Sequence, residues 1–277
     1  MNARNELPLT PEVKARAADP IGQSTPRHGA RRLLQGRGMY LDDLRLPRMA
    51  HVVFVRSPHA HARITHLDLS AARRQPGVIA AVDGQAIAEF CTPWVGVLGH
   101  LKGIKSAPQH AVAIDRVCWQ GEAVAAIVAQ SRREAEDALE HVVTEWDVLP
   151  AVTDMKDALS NRYVIHPDLG DNLCFSRELV TEGFEQAFAQ AEVVVEKTYD
   201  FSRHTGVTNE PRGVLADYNP ADHTLVVYQG TQAPHMMQDI FSRHLNIPES
   251  NVRVVCKDVG GSFGIKVHVY ADEMATA

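Results

Sequence analysis

The residues best suited to chemistry gather late in the chain. Gly260-Gly261-Ser262-Phe263-Gly264 follows an apolar run at residues 252–256 that reads as a strand. A loop of small residues after a strand can turn several backbone amides toward one anion. Two phosphate-binding patterns are excluded. Lys266 has no adjoining Gly and precedes Val267 rather than Ser or Thr, so the segment is not a P-loop. Adjacent Gly260 and Gly261 with only Gly264 beyond do not make G-x-G-x-x-G. On pattern alone the segment is either a structural turn or a ligand cradle. Gln232 lies between a strand ending near Gln229 and a helix starting near Pro234, where its amide can reach the mouth of a crevice.

Other candidates are weaker. His59 and His61 would share one side of a strand and could share a metal. No third ligand stands at a recognised spacing, and Arg56 and Arg63 would oppose a cation, so both read as surface or packing histidines. None of the fourteen histidines forms His-Glu-x-x-His, and Gly-x-Ser-x-Gly is absent. Asn209-Glu210-Pro211-Arg212 concentrates charge beside a proline-fixed turn and reads as an isolated ion pair. Cys91, Cys118, Cys174 and Cys256 are far apart, with no Cys-x-x-Cys, which supports neither a zinc site nor a chain-borne iron–sulfur cluster. They read as reduced, mostly buried thiols.

These residues need positioning elements. The first twenty residues hold Pro8, Pro11 and Pro20 among charges and read as a flexible leader rather than a secretory signal. Residues 21–47, rich in Arg and Gly, read as an extended arm rather than a helix. Strands are expected at 51–55, 62–67, 78–82 and 123–129, with Ser70 capping a short helix that Pro76-Gly77 ends. Ser131 and Glu134 have capping-box spacing, and Ala135, Ala138, Leu139 and Val142 form one apolar stripe behind them. Pro150 and the polar stretch to Asp171 read as a linker. Beyond Asn172, Phe184, Ala187, Phe188 and Ala191 keep helical spacing, and Val193-Val194-Val195 starts a strand. Residues 213–218 and 224–228 flank the turn Asn219-Pro220-Ala221-Asp222 as a hairpin, and a helix runs from Pro234 to about Leu245. Residues 270–277 have helix-forming composition, and the second unit reads as stopping mid-element.

Composition bounds the rest. The chain has 277 residues, 45% hydrophobic and 22% charged, with a net charge of −6. That is an ordinary globular make-up with room for about two domains. The first fifty residues are net basic and the remainder is net acidic, which argues against a general nucleic-acid binder. The longest uninterrupted apolar run, residues 123–129, is far short of the ~20 residues that span a bilayer. A cytoplasmic protein is expected.

Taken together, the motifs carry a resemblance. Leu33-Leu34-Gln35-Gly36-Arg37-Gly38-Met39-Tyr40-Leu41-Asp42-Asp43, then Arg56-Ser57-Pro58-His59-Ala60-His61-Ala62-Arg63-Ile64, resemble the start of the large molybdenum-binding subunit of the xanthine dehydrogenase and aldehyde oxidase family, closest to the carbon monoxide dehydrogenase large-chain type. Gly121-Glu122-Ala123-Val124-Ala125, Ala135-Glu136-Asp137-Ala138 and Leu149-Pro150-Ala151-Val152 resemble its α/β-hammerhead domain. Asn209-Glu210-Pro211-Arg212-Gly213, Thr231-Gln232-Ala233-Pro234-His235 and the run from Val259 to Lys266 resemble the opening of its molybdopterin-binding domain. The likeness extends from about Ile21 to the last residue.

The resemblance implies an α+β chain. Its parts are a leader at 1–20, an arm and hammerhead domain at 21–150, a linker at 151–171, and the incomplete beginning of a molybdopterin-binding domain at 172–277. It implies cofactor contacts from Gln232, which in the family donates toward an oxygen ligand of molybdenum, and from Gly260, Gly261, Ser262, Phe263 and Gly264. The Glu210 turn is implied to be architectural. The cofactor is implied to be molybdopterin in its cytosine dinucleotide form with molybdenum. FAD and 2Fe-2S clusters are implied on partner flavin and iron–sulfur subunits. Complete relatives hydroxylate an aldehyde, an N-heterocycle or a similar carbon centre with oxygen from water.

Departures from the family pattern are specific. The usual Arg-x-Glu-Asp is Arg27-His28-Gly29-Ala30, Asn209 stands where Met is common, and Ser262 replaces a glycine, which is tolerable only without positive φ. The chain is much shorter than family large subunits and holds no acidic residue in the position of the family's base, so no catalytic residue is expected in it. It is expected to be inactive alone, as the N-terminal portion of a longer subunit. The alternatives are a structural half completed by a separately encoded C-terminal chain, and a free-standing hammerhead binding module.

Overall fold

The computed structural model describes residues 21–96 and 100–277; the expected leader at 1–20 lies outside them. Of the described residues, 21–39 belong to a unit of their own. In it Ala30–Leu34 is a short helix, α1, entered through Gly29 at φ +82°. The expected extended arm is therefore helical here, because good helix formers lie between Gly29 and Gly36, both with positive φ.

Tyr40–Ala277 is the second unit. Its first part carries β1 (His51–Arg56), β2 (Ala62–Asp68), β3 (Val78–Asp83), α2 (Gly84–Ala88), β4 (Arg116–Val117), β5 (Ala123–Ala129), α3 (Arg132–Leu139) and β6 (Val143–Val148). They make two antiparallel sheets, ordered β1-β5-β3 and β4-β2-β6. All of β5 except Val128 is buried, which accounts for its unbroken apolar run. Ala135 and Ala138 of α3 are buried, and Ala138 packs with Ala125 and Ile127 of β5. Ser131 caps α3 by accepting the Glu134 amide at 3.3 Å, but its hydroxyl donates to the Glu134 carboxylate at 2.7 Å, so the reciprocal half of the expected box is side chain to side chain. Ser70 caps no helix. Asp68 accepts the Ser70 amide at 2.8 Å, and only a 3-10 turn follows at Ala72–Arg74.

The connecting stretch holds α4 (Met155–Leu159), whose start is capped by Asp154. Asn172 ties it down by donating to the carbonyls of Ala158 at 3.1 Å and Tyr163 at 2.7 Å. Then come α5 (Phe184–Ala189), β7 (Val214–Asn219), β8 (Thr224–Gln229), α6 (Pro234–Leu245), β9 (Val252–Val255) and α7 (Ala271–Thr276). The expected strand at 193–195 does not form, and its valines are exposed. An apolar β-prone run becomes a strand only against another strand, and none pairs with it among the described residues.

The third sheet is ordered β7-β8-β9, with β7 antiparallel and β9 parallel to β8. A parallel pair needs a crossover, and α6 supplies it. Met237, Ile240 and Phe241 of α6 are buried with Leu225 and Val227 of β8 and Val252 of β9. Cys91, Trp94 and Ala111, from the stretch between β3 and β4, belong to this same core.

Candidate functional site

The topology alone brings the two leading sequence candidates together. Strands β8 and β9 are adjacent and parallel, in register from Leu225 against Val252 to Tyr228 against Val255. The segments that follow them must leave the sheet at one end, where crevices form in open parallel sheets. Gly230-Thr231-Gln232 follows β8, and residues 256–264 follow β9. The Gln232 side-chain oxygen accepts from the Ser262 hydroxyl at 2.5 Å and from the Gly264 amide at 3.1 Å. A backbone amide only donates, so the atom facing it is the oxygen, and the Gln232 amino group is left for a ligand.

The loop has the conformation that its residues allow. Gly261 (φ +97°) and Gly264 (φ +93°) take left-handed backbone, while Ser262 does not, so its replacement of glycine is tolerated. Phe263, at φ +49°, carries the strain instead, and its ring is 77% exposed. The amides of Gly261, Ser262 and Phe263 meet no protein acceptor among the described residues. Beside them α6 starts with Pro234 and no side-chain cap, leaving the His235 and Met236 amides likewise without acceptors. The site therefore concentrates neutral N–H donors and a helix N-terminus, a set that suits an anionic group. The Gly264 amide is already committed to Gln232.

Behind the loop lies a pair that the spacing of the sequence concealed. Glu210 and Lys266 form an ion pair of 2.9 Å, with the Lys266 side chain fully enclosed and that of Glu210 12% exposed. The same Glu210 oxygen accepts the Gly260 amide at 2.7 Å, and the other accepts the Leu41 amide at 3.2 Å. Burial would raise the Glu210 carboxyl, but Gly260, Lys266 and Leu41 together hold it below the usual carboxylate range. The Lys266 carbonyl accepts from the Gln232 amide at 2.9 Å and from the Thr231 hydroxyl at 3.1 Å. The only advance signals were one Lys after a Gly-rich loop and one Glu beside Pro211.

Arg212 is not in an isolated pair either. It donates to Asp272 at 3.2 Å and to Glu273 at 2.8 Å, and its guanidinium lies 3.6 Å over the Tyr270 ring. Arg56 reaches the same Asp272 at 2.8 Å. Elsewhere, His61 is buried with Nδ1 donating to the Pro150 carbonyl at 2.8 Å, and His59 packs edge-on against Trp146. Only Cys91 of the four thiols is buried; Cys118 and Cys256 are half-buried and Cys174 is exposed, since the apolar cores close without them. Among the described residues no three His, Cys, Asp or Glu side chains converge for a metal, and no helix is long and apolar enough to cross a membrane.

Residues 35–150 match the aldehyde oxidase and xanthine dehydrogenase a/b hammerhead domain, and residues 165–277 match the molybdopterin cofactor-binding domain. The chain belongs to the xanthine dehydrogenase and aldehyde oxidase family. It is 36% identical to the nicotine 6-hydroxylase large subunit of Paenarthrobacter nicotinovorans, covering 92% of this chain and 31% of that one. It is 33% identical to the carbon monoxide dehydrogenase large chain of Hydrogenophaga pseudoflava, covering 86% and 31%. The crystal structure of quinoline 2-oxidoreductase from Pseudomonas putida 86 superposes with a TM-score of 0.84 at 34% identity, over 92% of this chain and 32% of that one. The chain thus spans about a third of the length of these relatives. In this family member the two sheets around β5 are the α/β-hammerhead, and the sheet of β7, β8 and β9 opens the molybdopterin-binding domain.

Proposed function

We propose that this chain is the N-terminal part of a molybdenum hydroxylase large subunit that, when complete, oxidises an aldehyde, an N-heterocycle or a similar carbon centre with oxygen from water. The observation that carries the reading is the Gln232 brace, with the unused amides of Gly261, Ser262 and Phe263 beside it. Gln232, Gly260, Gly261, Ser262, Phe263 and Gly264 would hold molybdopterin, in its cytosine dinucleotide form, with molybdenum. Gln232 would donate through its free amino group, the loop amides would meet the anionic face of the group, and the α6 N-terminus would add its positive end. Gly260 and Gly264, whose amides are taken by Glu210 and Gln232, would act indirectly, by fixing the loop and Gln232. The bound group supplies the redox chemistry, and the protein supplies orientation and electrostatics.

Two relatives are named as subunits of larger assemblies, the nicotine 6-hydroxylase large subunit and subunit gamma of the 6-hydroxypseudooxynicotine dehydrogenase complex. By analogy, iron–sulfur and FAD subunits would carry the electrons away in the cytoplasm. The 277-residue chain alone would not retain molybdenum, because it spans about a third of the relatives above, and would not turn over, because among the described residues no side chain at the site is placed as a base.

Gln232→Glu tests the site in the protein purified with its natural partners. A carboxylate still accepts from Ser262 and Gly264, so folding persists, but the outward donor becomes an anion. Pterin content, read by fluorescence after oxidation, is expected to fall at least ~10-fold, the equivalent of about 1.4 kcal/mol. Absence of molybdenum and pterin from the wild-type protein, or undiminished content in the variant, overturns the reading.

A further inference from the structure

The Glu210–Lys266 pair is poorly explained as a source of stability. Withdrawing two charges from water costs about as much as their attraction returns, and well-packed apolar residues often serve equally well. The surrounding chain nonetheless makes room for it. A methyl group on Gly260 would lie 2.4 Å from the Glu210 Cβ, so the loop can rest on Glu210 only because residue 260 has no side chain. What the pair does is grip the loop at both ends. Glu210 accepts the Gly260 amide and donates its own amide to the Gly260 carbonyl at 3.1 Å. Lys266, two residues beyond Gly264, is pulled to the same carboxylate, while its carbonyl receives the segment that carries Gln232. Tyr270 adds a second hold on the far end by donating to the Ile265 carbonyl at 2.6 Å.

We propose that Glu210 and Lys266 are positioning residues: one half-buried carboxylate, held by one buried ammonium, sets the curvature of residues 260–264 so that the amides of Gly261, Ser262 and Phe263 stay available to a single anionic group. This inference rests on the cofactor reading for the identity of that group, and on the geometry alone for the clamp. It makes an asymmetric demand. Charge neutralisation would be satisfied by either orientation of the pair, whereas the Gly260 amide needs an acceptor at position 210.

The test is amide hydrogen exchange of the protein purified with its natural partners, as Glu210→Gln, Lys266→Met and the exchanged double variant Glu210→Lys/Lys266→Glu, with pterin content measured in parallel. Protection of the Gly260 and Gly264 amides is expected to drop at least tenfold in both single variants. It is expected to stay low in the exchanged pair, where the Gly260 amide faces another donor, while protection in β5 is unchanged. Recovery in the exchanged pair to within twofold of wild type, or undisturbed single variants, overturns the clamp. If these variants do not fold, Gly260→Ala reads the same protection without removing a charge, and an unchanged Gly264 amide there overturns the clamp as well. A wild-type protein with a protected loop but no pterin sinks the cofactor reading alone. Pterin present, with protection indifferent to the variants, sinks the clamp alone.

Discussion

A single methyl group at Gly260 is the sharpest probe of the site. In Gly260→Ala the new carbon would stand 2.4 Å from the Glu210 Cβ, 3.2 Å from its backbone nitrogen and 3.4 Å from its Cα. These atoms belong to the turn stiffened by Pro211 and cannot rotate away as the tip of a side chain can. Carbon atoms rest at about 3.5–4.0 Å, so the two segments must part by about 1 Å. That strains or breaks the 2.7 Å bond from the Gly260 amide to the Glu210 carboxylate and the 3.1 Å return bond to the Gly260 carbonyl. A hydrogen bond to a charged group is worth about 1.5–3 kcal/mol and a neutral one about 0.5–1.5, and partial relaxation recovers some of each. The expected loss is about 2–4 kcal/mol. Gly264→Ala is the matched control. Its methyl group meets nothing within 4 Å, and only the φ of +93° is unfavourable, at about 1–2 kcal/mol. Urea midpoints of both variants, with pterin content measured alongside, should place Gly260→Ala clearly below Gly264→Ala in stability. A Gly260→Ala protein within about 0.5 kcal/mol of wild type would show that the loop does not lie flush on Glu210, and the reasoning about the clamp would fail with it.

Two further predictions concern the body that carries the site. Glu122 is buried, and burial pushes its carboxyl up to about 7 against the opposing pull of the Cys118 and Trp119 amides and of Arg116. The folded state then keeps a proton that the unfolded chain releases, so stability is fullest below about pH 4.5 and falls as pH rises toward 7, by about 3 kcal/mol at most. Glu122→Gln should remove that fall, and parallel pH profiles for the two proteins in urea titrations at pH 5 and 8 would refute the assignment. Trp94→Ala should cost about 3–5 kcal/mol, because Trp94 is 5% exposed inside the core of β8, β9 and α6. It should lower hammerhead and molybdopterin-domain signals in one transition; two separated transitions would contradict the shared core.

What could be read from the letters was what neighbours in sequence decide. The strand at 252–255, the loop after it, Gln232 before Pro234 and the start of α3 at Ser131 each follow from a few adjacent residues, and each stands where expected. Partnerships across distance were not legible. Glu210 and Lys266 are 56 residues apart, and Lys266 between Ile265 and Val267 resembles any surface lysine until the fold encloses it. The same limit explains the valines at 193–195, whose β-propensity is real but whose partner is not in reach. It also explains Phe263. Nothing in its type announces positive φ; it lies between residues held by bonds from the Gly264 amide to the Gln232 side chain and from the Ile265 amide to the Ser262 carbonyl.

The charge network around Asp272 argues against reading the hammerhead as a free-standing module. Arg56 closes β1 of the first sheet, and its guanidinium is spent on the Gly121 carbonyl at 3.0 Å and on Asp272 at 2.8 Å. Asp272 also receives Arg212, which engages Glu273, and Glu273 accepts the side-chain amide of Gln229 at 2.5 Å. Gln229 is the last residue of β8, three before Gln232. Tyr270, under the Arg212 guanidinium, holds the Ile265 carbonyl at the end of the Gly-rich loop. One chain of ion pairs, hydrogen bonds and a cation–π contact therefore runs from the hammerhead to both segments of the site. A hammerhead cut off at residue 150 would leave Arg56 without its carboxylate and Cys91, Trp94 and Ala111 without the core that buries them. Exposed apolar surface of that kind favours association over solubility. The two domains are thus better understood as one folding unit, in which Arg56 of the hammerhead reaches, through Asp272, the residues that hold the loop.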